Sequence, residues 1–307
     1  MALDANSLSF MNQPRNRIVK FARTPLYFTN VERILRKLTN LRSPESWVGL
    51  IPPKHIDYPK PSARSVEING IKYSLDISDL VGWYIYWGFS DAPRRKLYSL
   101  ITKGSTVIDV GANLGEVALN AAKLVGTGGK VYAFEPFPAN YKKLAANLEL
   151  NSFANLFIFN KGLGNEPHKV AMVAEENNAG MNRIASGAEL GKTDALVEII
   201  KLDDFVREKG LSSVDLIKID VEGYEMNVLK GGIETIKQFR PKLFVEVIDT
   251  HLKRQGSSAL EVFQFFEELD YGLSLADTGR PVDSRRMPTE FQYDVVATPG
   301  RPVQSPS

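Results

Sequence analysis

The chain has 307 residues, 43% hydrophobic and 24% charged, with a net charge of +2. This composition excludes disordered, collagenous and coiled-coil chains, and the near balance of charge argues against nucleic acid as a partner. With no cysteine, and histidines only at 55, 168 and 251, it also excludes disulfides, thiolate metal sites and a cysteine nucleophile, and no metal centre is expected. No apolar run approaches the roughly 18–20 residues of a membrane span, and the start MALDANSLSFMNQPRNR lacks a signal-peptide core, so no transmembrane segment and a cytoplasmic location are expected.

Residues 1–45 carry eight basic and three acidic side chains, a net of +5 against −3 for the remainder. Within them a short helix is predicted over Asn30–Thr39, capped by Thr29 or Asn30, with Val31, Ile34, Leu35 and Leu38 as its apolar face. The segment reads as a packing arm with solvated cations, a route to homo-oligomers, or a site for an anionic partner. Pro52, Pro53, Pro59 and Pro61 make a stiff linker that closes an N-terminal unit of residues 1–64. Residues 65–103 form an accessory unit. Asn69-Gly70 supplies the positive φ of a hairpin turn between SVEI and IKYSLD, and DLVGWYIYW (79–87) is a buried helix or strand.

From Gly104 strands alternate with helices, the pattern of a parallel sheet covered on both faces. Strands are predicted at 106–109, 130–135, 156–160, 214–220, 242–248, 271–275 and 291–298, with helices at 114–125, 138–151, 202–209, 224–230 and 257–270. The fold class is therefore α/β, a doubly wound, mostly parallel seven-stranded sheet of Rossmann-like type over residues 104–298, with an N-terminal helical arm and an accessory hairpin. A polar insertion between Lys161 and Lys201, around ENNAGMNRIASG, either contacts a hydroxylated or anionic substrate through Asn178, Asn182 and Arg183 or is a solvated loop. The tail PGRPVQSPS (299–307) is expected to be disordered.

Three constellations carry chemistry. In VIDVGANLGEVAL (107–119) an apolar strand ends at Asp109, turns through Gly111, Ala112 and Asn113, and opens a helix at Gly115, so a ligand can approach the backbone closely. The spacing GxxxG behind an acid departs from the GxGxxG of dinucleotide sites. Asp109 would repel a diphosphate and suit an ammonium or sulfonium ligand, directly or through water. Glu135 ends the next strand, where a carboxylate can accept bonds from both ribose hydroxyls; alternatively it caps the helix at Pro138. In VDLIKIDVEGYEMNVLKGG (214–232), Asp220 and Glu222 are site candidates at a strand's carboxyl end, and Glu225 is a capping residue.

VIDVGANLGEVAL, GKVYAFEPFPANYKKLAANLELN, VEIIKLDDF, VDLIKIDVEGYEMNVLKGG and PKLFVEV, in that order, resemble the FkbM-type family of class I AdoMet-dependent methyltransferases, over roughly residues 65–271. The resemblance implies S-adenosyl-L-methionine bound along Asp109–Gly115 with its ribose on Glu135 beside Pro136, and an adenine-side contact from Asn160–Leu163, including Gly162 and Leu163. Asp220 is counted with both the cofactor site and the chemistry. The resemblance also implies O-methylation of a hydroxyl on a sugar, glycolipid or natural product, so the expected partner is a small-molecule or glycan acceptor.

Moving a methyl group to an alcohol oxygen requires a held acceptor and a base; candidates are Asp220, Glu222 and His251, with Glu246 either catalytic or paired with Lys218. Asp220 with Glu246 or Asp249 offers oxygen ligands to a divalent ion, but no dense carboxylate loop is present. Two other readings compete. A nicotinamide oxidoreductase would want the missing second glycine. A non-catalytic assembly module would use the basic arm.

Overall fold

The computed structural model describes residues 29–186, 193–283 and 292–300. Its first element, α1 (Thr29–Thr39), begins where the described residues begin. Thr29 and Asn30, proposed as its caps, are its first two helical residues, while most of the basic segment and the tail from Arg301 lie outside the described residues. Among the described residues, no helix is long and apolar enough to cross a membrane.

Strands β1 (Ala63–Ile68) and β2 (Ile71–Asp76) form the expected hairpin, with Asn69 and Gly70 both at positive φ in its turn. The aromatic stretch is a helix, α2 (Leu80–Tyr86), because Asp79 caps it and every residue in it is buried. A second helix, α3 (Ala92–Leu100), follows; its start signal, Asp91 with Pro93 in the first turn, was not read from the sequence.

The central sheet then unfolds in chain order: β3 (Thr106–Val110), β4 (Lys130–Phe134), β5 (Leu156–Phe159), β10 (Leu216–Ile219), β11 (Lys242–Ile248), β12 (Tyr271–Leu275) and β13 (Gln292–Pro299). The intervening numbers belong to the insertion: β6 (Gly162–Leu163), β7 (His168–Val173), β8 (Arg183–Ile184) and β9 (Ala195–Ile200). The spatial order is β12-β13-β11-β10-β3-β4-β5, parallel except at β13, which runs antiparallel to both neighbours. This is the doubly wound seven-stranded α/β architecture that the alternation predicts. The chain reverses winding between β3 and β10, the neighbouring strands whose carboxyl ends frame a ligand crevice.

Helices cover both faces. On one side α4 (Glu116–Val125) and α5 (Pro138–Glu149) join the hairpin and α2 in one apolar cluster that includes Leu119, Leu144, Tyr84 and Trp87, all fully buried. On the other, α6 (Leu202–Lys209), α7 (Glu225–Gly231), α8 (Ile233–Phe239), α9 (Asp249–Arg254) and α10 (Ala259–Glu268) flank a cluster that includes Phe205, Leu229, Phe263 and Phe266. Truncating one such Leu to Ala typically costs about 2–5 kcal/mol. The insertion makes its own mixed sheet, order β6-β9-β7-β8, where the sequence showed only short β-like pieces.

Helix α1 forms where it was predicted, but only part of its apolar face packs: Leu35 lies against the core and Val31 is half-buried, while Ile34 and Leu38 face solvent at 64% and 54% exposure and Glu32 and Thr39 are buried. The cause is polar. Arg64 Nε and Nη2 donate to the two Glu32 oxygens at 2.9 and 3.1 Å, Tyr86 Oη donates to Glu32 at 2.8 Å, and Thr39 Oγ1 donates to the Trp87 carbonyl at 2.6 Å. A bidentate, charge-assisted pair outweighs the burial of two aliphatic side chains here.

Candidate functional site

The crevice at the carboxyl edge of β3 and β10 starts from backbone chemistry. Gly111 has φ +81°, and a Cβ on it would run into the Asp220 carbonyl, so only glycine lets the two strand ends meet. The Gly111 and Ala112 N–H groups both donate to the Phe134 carbonyl, at 3.0 and 2.9 Å, which ties the turn to β4. Gly115, also at positive φ, lies against Leu144, so its bareness lets α4 approach α5; it does not line the crevice.

Glu135 is 5% exposed and lines the crevice with Pro136. Its two oxygens accept from the backbone N–H groups of Asn113, at 2.8 Å, and Phe137, at 3.0 Å. The capping alternative is thus present in the geometry, and it also orients the carboxylate. Burial pushes this carboxyl up to about 7, against the lowering effect of the two N–H donors. Gly162 and Leu163, in β6, line the same wall.

The insertion is pinned over the crevice. Ala179 donates its N–H to Asp79 Oδ2 at 2.7 Å, and its carbonyl accepts from Asn113 Nδ2 at 3.1 Å and Asn140 Nδ2 at 3.0 Å. Asn182 lines the crevice while its Oδ1 accepts from the Glu175 N–H; Arg183 pairs with Glu175 at 3.1 Å and Asn178 caps Gly180, and neither of these two lines the crevice.

Lys218 sits between two acids of the site. In register with Asp109 across β10 and β3, its Nζ stands 3.3 Å from Asp109 Oδ1 and 3.5 Å from Asp220 Oδ2, and donates to the Gly111 carbonyl at 2.7 Å. Glu246, whose pairing with Lys218 was one of two readings, also acts on the ammonium electrostatically. Asp109 is fully buried, Lys218 answers its charge, and its side chain is not among those that line the crevice. Burial raises the Asp109 carboxyl despite Lys218; at Asp220 the ammonium overrides burial and holds the carboxyl well below its usual range.

Beyond β10 the chain makes a tight turn in which Glu222 (φ +56°) and Gly223 (φ +105°) are both left-handed. Glu225 braces it: its Oε1 accepts from Val221 N–H at 3.2 Å and Gly223 N–H at 3.0 Å, both in the turn and not in the helix that it opens, so it ties the turn instead of capping the helix. The turn drives Glu222 into the crevice wall at 4% exposure, where His251 Nδ1 lies 2.9 Å from Glu222 Oε2. Among the described residues neither Glu222 oxygen, nor His251 Nδ1, has a hydrogen-bond partner. His251 stands on α9, where the sequence suggested a loop, and reaches the crevice only through Glu222. Of the three expected catalytic residues, Asp220 and Glu222 line the crevice and His251 stands behind them.

Carboxylate oxygens of Asp220, Glu222 and Glu246 lie within 4.8 Å of one another, close enough to share a cation. Glu246 is opposite Asp294 in the β11–β13 register, and its carboxyl is raised well above its ordinary value by burial and by Asp220. Besides Lys218, the residues missed from sequence were Asn140 and Asp79. Each is a polar side chain whose partner is a backbone group of the insertion, and no local spacing signals such a pairing.

Comparison with known proteins agrees with this architecture. A family model described as the methyltransferase FkbM domain matches residues 109–273. "Methyltransferase 1" of Beauveria bassiana is 29% identical over 164 residues, 48% of this chain and 66% of that protein. "Methyltransferase sdnD" of Sordaria araneosa is 32% identical over 41% of this chain and 59% of its own length. The "31-O-demethyl-FK506 methyltransferase FkbM" of Streptomyces tacrolimicus is 30% identical over 42% of this chain and 59% of its own. The chain thus aligns with just under two thirds, or less, of these relatives. With the end of the motif strand, the glycine turn and the acid-ended second strand inside the matched span, which covers more than half of the sequence, the chain belongs to the FkbM methyltransferase family.

Proposed function

We infer that this chain transfers the methyl group of AdoMet to an alcohol oxygen of a hydroxylated natural product or glycan. The observation that carries the oxygen acceptor is Glu222, a buried carboxylate in the crevice wall whose Oε1 has no partner among the described residues. A relative named for O-methylation of demethyl-FK506 supports the same chemistry.

The crevice suits the cofactor. Gly111, Ala112 and Asn113 would bear it closely, Glu135 would hold the ribose hydroxyls, and Gly162 with Leu163 would flank the adenine. AdoMet supplies a methyl group activated on a sulfonium centre. The protein's part is to hold the acceptor and manage its proton. Glu222 Oε1 accepts the hydroxyl hydrogen as charge develops on oxygen, a contribution of about 10²–10⁴. His251 Nδ1 stands 2.9 Å from Oε2 and backs the carboxylate from behind. Lys218 keeps Asp220 ionised beside the turn, so negative charge in the wall favours a cationic donor over a diphosphate.

A divalent ion is not needed in this scheme, because the Lys218 ammonium already answers Asp220. Titration calorimetry with AdoMet and with NAD, followed by a screen of hydroxylated glycans and lipids with labelled AdoMet, tests the reading. Expected are AdoMet binding, label on oxygen, turnover unaffected by chelator, and loss of about 10²-fold or more in kcat for Glu222→Gln with AdoMet affinity retained. Binding of NAD alone would overturn it.

A further inference from the structure

We propose that the outward face of α1, with the loop that follows it, seats this protein on an anionic lipid bilayer. The helix turns part of its apolar stripe away from the body: Ile34 and Leu38, one turn apart, are 64% and 54% exposed while Leu35 packs on the core, and in the loop that follows Leu41 and Trp47 are 56% and 79% exposed. The stripe is flanked by cations. Arg33, Lys37 and Arg42 are all exposed, while the helix's own acid, Glu32, is sequestered against Arg64 and Tyr86. Between Asn30 and Leu50, Glu45 is the one exposed acid.

An apolar strip edged by basic residues, with tryptophan beside it, is the surface of a helix that lies in a membrane interface. Aliphatic side chains enter the acyl boundary, indole prefers the headgroup level, and each cation near an anionic leaflet contributes about 1 kcal/mol. Two other occupants are opposed by charge. A two-fold contact between copies would bring the same three cations face to face. The preceding segment of this chain, residues 1–28, carries Arg15, Arg17, Lys20 and Arg23 against Asp4, so it too would meet like charge. The same excess would strengthen attraction to an anionic surface.

The test is flotation of the full chain with vesicles of phosphatidylcholine alone or with about 30% phosphatidylglycerol, at low salt and at about 0.5 M NaCl. The expected result is co-flotation with the anionic vesicles only, released by salt. Partition should fall about tenfold or more in Arg33→Glu/Lys37→Glu and in Leu38→Asp/Trp47→Ala. Thermal unfolding would show that the variants remain folded, and Trp47→Ala alone, at the most exposed position of the four, gives a graded loss in a background that cannot perturb the core. No flotation at low salt would overturn the proposal. So would binding that needs the charges but ignores Leu38 and Trp47. A wild-type dimer that Leu38→Asp dissolves would assign the face to a second copy and overturn it too.

Discussion

Glu135 shows how one side chain serves the fold and the site together. Its oxygens hold the N–H groups of Asn113 and Phe137, yet each keeps lone pairs for a ligand hydroxyl. Burial raises its pKa from about 4.5 to about 7. In the proposed contact ribose hydroxyls would donate to the ionised form, so the protonated form would have to lose its proton to bind. AdoMet affinity is therefore expected to rise with pH, by up to tenfold per unit, and to level off above about 7. Stability of the free protein runs the other way. A carboxyl raised in the folded state contributes most below its unfolded pKa, and that contribution is lost as pH rises through about 7. Calorimetric titration from pH 5 to 8 reads the first effect. In Glu135→Gln the pH dependence should disappear and affinity should fall by about 1–3 kcal/mol at pH 8; a slope that survives this substitution would mean another group is responsible.

At the scale of elements, the site depends on β10 delivering Lys218 between two acids. Lys218→Met would leave Asp109 buried without its cation. A loss of about 3–5 kcal/mol at pH 7 is expected in urea unfolding. The loss should shrink toward pH 5, as Asp109 takes up a proton instead, and Asp109→Asn should restore part of it in the double variant, the signature of direct coupling. This pair also marks where sequence reading stops. The strand KLFVEVI and the turn DVGANLG were legible because period and glycine spacing are local. The partner of a lysine inside an apolar strand is set by register with a strand more than a hundred residues away, and Lys218 is level with Asp109, not with Glu246. Helix α1 was legible as a helix, but the division of its apolar face was not: Leu35 packs on the core, while the distant Arg64 and Tyr86 claim Glu32 and leave Ile34 and Leu38 outside.

Across the whole molecule, three segments far apart in the chain converge on Ala179. Asp79 uses one oxygen to cap α2, accepting from Val81 N–H at 3.0 Å and Gly82 N–H at 3.4 Å, and the other to hold the Ala179 N–H. The Ala179 carbonyl in turn takes Asn113 of the glycine turn and Asn140 of α5, and Leu80 N–H donates to the Asn177 carbonyl at 3.0 Å. The accessory helix, the insertion and the cofactor turn are thus one hydrogen-bonded unit, with Val81 and Ile85 in the crevice wall beside Asn182. Ordering the turn with a ligand should then order the other two segments, because each shares a bond with Ala179. Hydrogen exchange should show AdoMet protecting residues 177–184 and 79–86 along with 111–116. In Asp79→Ala the cap and the clamp are lost together, at a cost of about 1–2 kcal/mol in stability. Protection by AdoMet should persist at 111–116 and at 177–184, still joined through Asn113, and weaken at 79–86, and KM for the acceptor should rise with little change in AdoMet affinity. Asp79→Asn keeps one carbonyl oxygen, enough for the cap of α2 but not for the Ala179 N–H as well, so it should spare stability more than Asp79→Ala while losing the same coupling; coupling that survives in Asp79→Asn would mean that the Ala179 bond is not the link.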